Sequence, residues 1–378
     1  PVQSFPSRRQ LPQAGNSGPR WLADMLDGPR LYYWCGVGAC IVGVLLLILL
    51  FAGHIVTDQK DVPAWIGGYC AILATALSVF QILEHLAHFA VPECQSKVVR
   101  ILFMVPLYAV FSWISILAPG ASEYLDLIRD GYEAYALYNF FALMMEQMGG
   151  VDHLYRELMA EERPPVPHCW PMNNCFEPMR ITPTFVRRCR LSLAQFMVLK
   201  PLLALVTILL TATNMYGKLF DLSKGHFWIF MIYNTTYSVA LIALWYFYFG
   251  MKPFLEGKNA LSKFWCIKAV VFLTYWQGMV IEVIAATAGL PRFDYWSEER
   301  AASGLQNLLV CIEMLFVAFA HKFCFPADEF TSPDGAGAPD VPDFVEMVPA
   351  RRSKMANLRL TMQHEDIRRD LKDTAYNR

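Results

Sequence analysis

Eight apolar runs, each about as long as a bilayer is thick, alternate along the chain with short polar stretches. In helical form about 20 residues cross the hydrocarbon core, at roughly 1.5 Å rise per residue. The runs are Leu31–Ile55, Trp65–Phe89, a pair within Arg100–Gly150 that folds back at Pro119 and Gly120, then Leu193–Thr213, Phe227–Gly250, Lys263–Ala288 and Ala302–Phe325. The pattern predicts an all-α, polytopic membrane bundle with eight spans. Pro106 and Pro201 fall inside two of them and are expected to kink their helices, because proline supplies no N–H to the preceding turn.

The polar stretches divide the chain further. Residues 1–30 are rich in Pro, Gly, Ser and Arg, carry too little apolar surface for a core, and read as a mobile tail. The membrane domain then covers 31–325 and holds a polar loop at 150–192, and 326–378 form a second, disordered tail. Near its end HEDIRRDLKD has the composition of a short solvated helix that could dock a partner. The chain begins at Pro1 without an initiator Met, which leaves open that it is processed or partial. Its first apolar run is too long and too far from the start to be a signal peptide.

An even number of spans puts both ends on one side, and the basic residues choose which. Arg8, Arg9, Arg20, Arg30, Lys97, Arg100, Lys252, Lys258, Lys263 and the arginines of loop 150–192 share a side with Arg351 and Arg352. Opposite stand Lys60, Arg129, Lys218, Lys224, Arg292 and Arg300. Both termini are therefore expected in the cytosol of an endomembrane or plasma-membrane protein.

Composition agrees with this picture: 55% of residues are hydrophobic and 17% charged, the net charge is −1, and mean hydropathy is positive. No basic domain suggests nucleic acid as a partner. Of ten cysteines, Cys35, Cys40, Cys70, Cys266 and Cys311 lie within apolar runs and behave as small hydrophobes rather than a disulfide scaffold.

Several long strings carry a resemblance. RILFMVPLYAVFSW, RDGYEAYALYNFF, FVRRCRLSLAQFMVLKP, KFWCIKAVVFLTYWQG and GLQNLLVCIEMLFVAFAH occur in that order between about Trp65 and Phe325. They resemble the transmembrane protein 184 family, related to the alpha subunit of the organic solute transporter. The resemblance implies a seven-helix core, to which the first span would be an addition. It also implies transport of amphipathic organic solutes or lipids, with a small single-span partner subunit. Association with vesicle traffic or receptor-like signalling is the other role found in the family. A homo-oligomer is equally open.

Candidate chemistry sits in the spans, where polar side chains are costly unless they face a partner or a cavity. Glu84 and His88 share a face one turn apart, with His85 between them. That set supplies at most two metal ligands from one face, so a hydrogen-bonded cluster or a solute and proton site is the reading, with no metal and no cofactor. Tyr135, Tyr138 and Asn139 fall near one side of the fourth span, with Glu133 closer to its outer end. They suit an amphipathic ligand whose apolar body packs on Phe140 and Phe141, or else they hold helices together through bonds worth about 0.6 kcal/mol each. Lys200 and Lys268 lie toward helix ends, where a lysine snorkels by default. If they face inward, Glu84, Glu146 and Glu313 are the expected partners. A Schiff base at Lys268 would further need a sealed pocket.

Gln277 and Glu313 lie nearer mid-span. All eleven polar residues are expected to converge on one interior solute site. In the loop, Cys169, Cys175 and Cys189 beside arginines suit reversible acylation, and the arginines suit anionic lipid headgroups. Asn234 opens a glycosylation triplet inside a span, where it would not be used. There is no nucleophile with a positioned base and no nucleotide loop, so an enzyme is not expected. A seven-helix receptor is disfavoured, because no DRY-like or NPxxY-like run ends the relevant spans.

Overall fold

The computed structural model describes residues 62–160, 164–167, 177–217, 221–256, 258–287, 298–330 and 353–363. The expected first span and N-terminal tail, and the HEDIRRDLKD stretch, lie outside the described residues. Among the described residues the regular elements are helices, and the extended chain contributes an isolated bridge between Val166 and Met179. In chain order the helices are α1 (Val62–Ala87), α2 (Pro92–Leu102), α3 (Met104–Leu117), α4 (Ser122–Gln147), α5 (Gly150–Ala160), α6 (Pro183–Ala212), α7 (Gly225–Gly250), α8 (Lys252–Leu255), α9 (Ala260–Thr287), α10 (Glu298–Cys324) and α11 (Lys354–Met362).

Five helical segments are long and apolar enough to cross a membrane: Val62–Ala87, Pro92–Leu117, Pro183–Ala212, Gly225–Gly250 and Ala301–Phe330. α4 (26 residues) and α9 (28 residues) have the length as well. α4 is set apart by Asp126, Arg129, Asp130 and Glu133 along its first half.

Local chemistry explains where these helices begin and break. Pro92 occupies the first turn of α2, where a missing N–H costs nothing, and Glu93 beside it suits the positive end of the helix dipole. The third span therefore starts about two turns before the apolar run at Arg100. One turn before Pro106 the helix is interrupted at Phe103 between α2 and α3, since Pro106 cannot donate to the Leu102 carbonyl oxygen. α6 likewise starts earlier than hydropathy suggests. The Thr182 hydroxyl accepts from the Phe185 amide at 3.2 Å, Pro183 follows, and the basic stretch to Arg190 is helical. Helix α6 runs on through Pro201. Gly149 and Gly150 both take positive φ, 86° and 85°, and turn the chain from α4 into α5.

α1, α3 and α10 pack on one another as a three-helix unit. Small residues permit the approach: a Cβ on Gly68 would meet the Trp113 ring at 2.7 Å, and one on Gly67 would meet Ile116 at 3.0 Å. The Trp113 indole N–H donates to the Ala64 carbonyl oxygen at 3.0 Å, which fixes the ring over that glycine. α4 lies against α2, α3 and α6 and is the most enclosed helix in its second half, where from Glu133 to Met145 only Tyr135 keeps partial exposure. α6 and α7 form a hairpin packed on α4 mainly through α6.

The sequence reading of the chain beyond Phe325 needs two corrections. Residues 327–330 form a further 3-10 turn in which Glu329 and Phe330 are buried, so the fold extends past Phe325. Within the tail expected to be disordered, α11 is an ordered helix docked on α1 and α2.

Candidate functional site

A buried ion pair joins α4 to α6. Lys200 Nζ donates to Glu133 Oε2 at 2.6 Å and to the Tyr233 hydroxyl of α7 at 3.1 Å, with Asp130 Oδ1 at 3.5 Å. Both members of the main pair are almost fully buried, with side chains 2% and 6% exposed. The ammonium also stands 5.0 Å from the Tyr233 ring centroid and 5.7 Å from that of Phe196. Lys200 thus does not snorkel, and its carboxylate is Glu133 rather than Glu84, Glu146 or Glu313. Burial explains the choice. A charge held away from water stays only where an opposite charge and further hydrogen-bonding groups meet it, and α4 presents two acids at that level.

Asn139, one and a half turns further along α4, is fully buried and belongs to another set. Its Oδ1 accepts from Arg100 Nη1 at 3.3 Å and its Nδ2 donates to the Tyr135 carbonyl oxygen at 2.8 Å. Arg100 Nε donates to the Thr361 carbonyl oxygen at 2.9 Å and Nη2 to that of Gln363 at 3.0 Å. The Tyr132 hydroxyl closes the set by donating to the Arg100 carbonyl oxygen at 2.6 Å. Tyr135 is half-buried beside the Tyr132 ring, and Tyr138 is buried in the core.

A third set ties helix ends together where the basic residues gather. Lys263 Nζ donates to both oxygens of Glu329 at 2.5 and 2.7 Å, and Gln147 Nε2 donates to Glu329 Oε1 at 3.3 Å. Lys258 donates to the Gln147 carbonyl oxygen, and Lys97 meets Glu146 at 3.2 Å. The candidates of the second span, on and just beyond α1, belong here. Gln81 Nε2 donates to the carbonyl oxygens of His321 and Phe325, both at 2.9 Å, and the buried His85 Nε2 lies 3.0 Å from the latter. Side chains of α1 thereby satisfy the open carbonyls at the end of α10. Glu84 pairs with Lys322 at 3.3 Å near the surface, and His88 is exposed with Nδ1 3.2 Å from the Glu84 carbonyl oxygen. Among the described residues no group of three His, Cys, Asp or Glu side chains is placed to hold a metal ion.

At the far end of the bundle Arg129 bridges α3, α4 and α10. It donates to Ser112 Oγ at 2.5 Å, to Asn307 Oδ1 at 3.2 Å and to Asp126.

Gln277 of α9 faces the Glu313 carboxylate of α10, and both are half-buried. On another side of α9 lies Lys268, whose ammonium stands 5.4, 5.6 and 5.9 Å from the ring centroids of Trp265, Phe264 and Trp245. It marks one end of a crevice between α4, α7 and α9 lined by Leu137, Phe140, Tyr237, Leu241, Phe264 and Ile267, with a volume of about 280 Å³ including its mouth. Pockets that enclose drug-sized ligands run from roughly 300 to 1,000 Å³. Most of this crevice's volume is its open mouth and only about 10 Å³ is enclosed, so it must widen before it can take a ligand group.

The eleven expected residues thus stand in several separate settings instead of lining one chamber. Glu133 joins Lys200, Gln277 joins Glu313, and Asn139 bonds Arg100. Of the acylation candidates, Cys169 and Cys175 lie outside the described residues, and Cys189 is 4% exposed in the packed face of α6, out of an acylating enzyme's reach. Sequence reading counted Arg100, Lys258 and Lys263 only toward orientation and passed over Asp130, Tyr233 and Glu329. The available signal for Arg100 was a guanidinium opening an apolar run, whereas Glu329 sits past a Pro-Ala-Asp stretch that reads as tail.

Long apolar helices with ionic groups paired in their interior define a multi-pass integral membrane protein of transporter-like character. The family model described as Organic solute transporter Ostalpha matches residues 63–330, and the chain belongs to that family. It is a transporter family rather than an enzyme family. No solved structure matches the chain.

Proposed function

We propose that the protein carries amphipathic organic solutes or lipids, and that the crevice between α4, α7 and α9 is where such a molecule engages it. The observation that carries this reading is the pairing of an apolar slot with the Lys268 ammonium and its aromatic surround. An apolar body enters the slot once α7 and α9 part from α4, and a polar or anionic head meets the lysine. The ion pair at Lys200 and Glu133 sits between the helices that would have to part for passage, in the manner of buried charges along solute pathways. Both termini and loop 150–192 face the cytosol in this reading, following the excess of Lys and Arg at that end. A small single-span partner subunit, a second copy of the chain or membrane lipid would cover the exposed apolar faces of α6 and α7.

The test is flux of sterol, bile-acid-like and phospholipid probes in proteoliposomes. Lys268→Met is expected to reduce flux at least tenfold, and Asn139→Ala and Glu313→Gln to separate carrier residues from structural ones. Absence of flux for every probe would remove the reading. The alternative is a trafficking or signalling role exerted through the cytosolic loop and tails, and redistribution of the protein on deletion of residues 331–378, which keeps the Glu329 pair with Lys263, without any flux would select it.

A further inference from the structure

The docked tail helix α11 is held in an unusual way. Its inward residues are Asn357 and Thr361, one turn apart on one face, 4% and 0% exposed, while Met355 and Met362 are 66% and 50% exposed. Asn357 Nδ2 donates to the Leu86 carbonyl oxygen at 2.9 Å near the end of α1. At the other end of α11, Arg100 bonds the carbonyl oxygens of Thr361 and Gln363 while its third nitrogen holds Asn139 of α4. Ser353 caps the start, its hydroxyl accepting from the Ala356 amide at 3.3 Å. A helix of nine residues is marginal in water by itself, so its order comes from these directional bonds and modest apolar packing by Leu358. The 22 residues numbered 331–352 join it to the bundle. A chain of that length, fully extended, spans more than about 70 Å, so its length alone does not tie the helix to its seat.

From this geometry we infer that the notch formed by Leu86 of α1 and Arg100 of α2 is a docking surface whose occupant is the chain's own segment 353–363, seated reversibly as a latch over the Arg100 and Asn139 contact. Because the occupant is tethered, a weak intrinsic affinity suffices to keep it in place, and loss of one polar contact releases it. When it leaves, Arg100 loses two acceptors at once, and its contact with Asn139 is uncovered at the basic end of the bundle while α2 stays packed on α4. The inference stands on the docking contacts and not on the carrier reading.

The experiment uses the full chain and a chain ending at Arg352, each purified in lipid nanodiscs, with a fluorescent synthetic peptide of residues 353–363 as probe. The peptide should bind the shortened chain saturably and the full chain at least tenfold more weakly, because there the seat is filled. Asn357→Ala in the peptide, which leaves folding of the bundle untouched, should weaken binding five- to tenfold, and Met355→Ala should change it less than twofold. Hydrogen exchange across residues 84–103 should rise at least threefold on shortening and fall again when peptide is added. Absence of saturable binding, equal binding to both chains, or indifference to Asn357→Ala would each overturn the inference.

Discussion

The unit of α1, α3 and α10 and the hairpin of α6 and α7 are both apolar, yet they are built on different physics. In the first, 56% of the most apolar stretch of Pro92–Leu117 and 44% of that of α1 is buried, and glycines let aromatic and aliphatic side chains close the gaps. In the hairpin the figures fall to 22% for α6 and 11% for α7, and Leu202, Leu205, Leu209, Trp228, Met231 and Ile242 are exposed. What fastens it to α4 in mid-bundle is the Lys200 pair with Glu133. A lipid tail is as apolar as leucine, so side-chain burial gives no preference between helix and lipid, and close packing or a polar bond must decide. One region uses the first means and the other uses the second.

The largest effect should come from breaking the fastening. Lys200→Met leaves the Glu133 carboxylate buried without its counter-ion, and is expected to cost about 3–5 kcal/mol in thermal unfolding of the purified protein. Adding Glu133→Leu should restore most of the loss, and a double variant as unstable as the single one would show that the pair does not mount the hairpin. Tightening the packed unit comes next. Gly68→Ala forces a methyl into the Trp113 ring and should cost about 1–3 kcal/mol, with reduced near-ultraviolet dichroism from the displaced indole. Thr182→Ala removes the cap of α6 and should cost about 1 kcal/mol by the same measurement. The smallest effect belongs to Leu205→Ala, 59% exposed on α6, which should shift stability by less than about 0.5 kcal/mol in micelles. A larger loss there would mean that the exposed face meets a partner.

Much of the helical architecture was legible because hydropathy and length are local properties. Helices stand where the apolar runs from Trp65 onward place them, and their ends moved at Pro92 and at Thr182 with Pro183, where caps intervene, and past Phe325, where residues 327–330 continue the fold. The family was legible from strings such as RILFMVPLYAVFSW. What could not be read was pairing. Lys200 has several carboxylates within plausible reach in one dimension, and only the rotation of α4 against α6 selects Glu133. Arg100 finds its acceptors 261 and 263 positions away, on a helix whose sequence, KMANLRLTM, has no amphipathic pattern to announce docking. Convergence of the polar residues was expected because each is costly alone, but that cost is equally met by several local agreements, as Gln81 with the end of α10 illustrates.

Pro201 follows Lys200 directly, and the carbonyl of Met197 has no amide to receive from it. The weakest link in the backbone of α6 therefore adjoins its strongest side-chain tether. Protonating or displacing the carboxylate at Glu133 would remove the counter-charge of Lys200 next to the residue of α6 whose missing amide leaves the helix least supported.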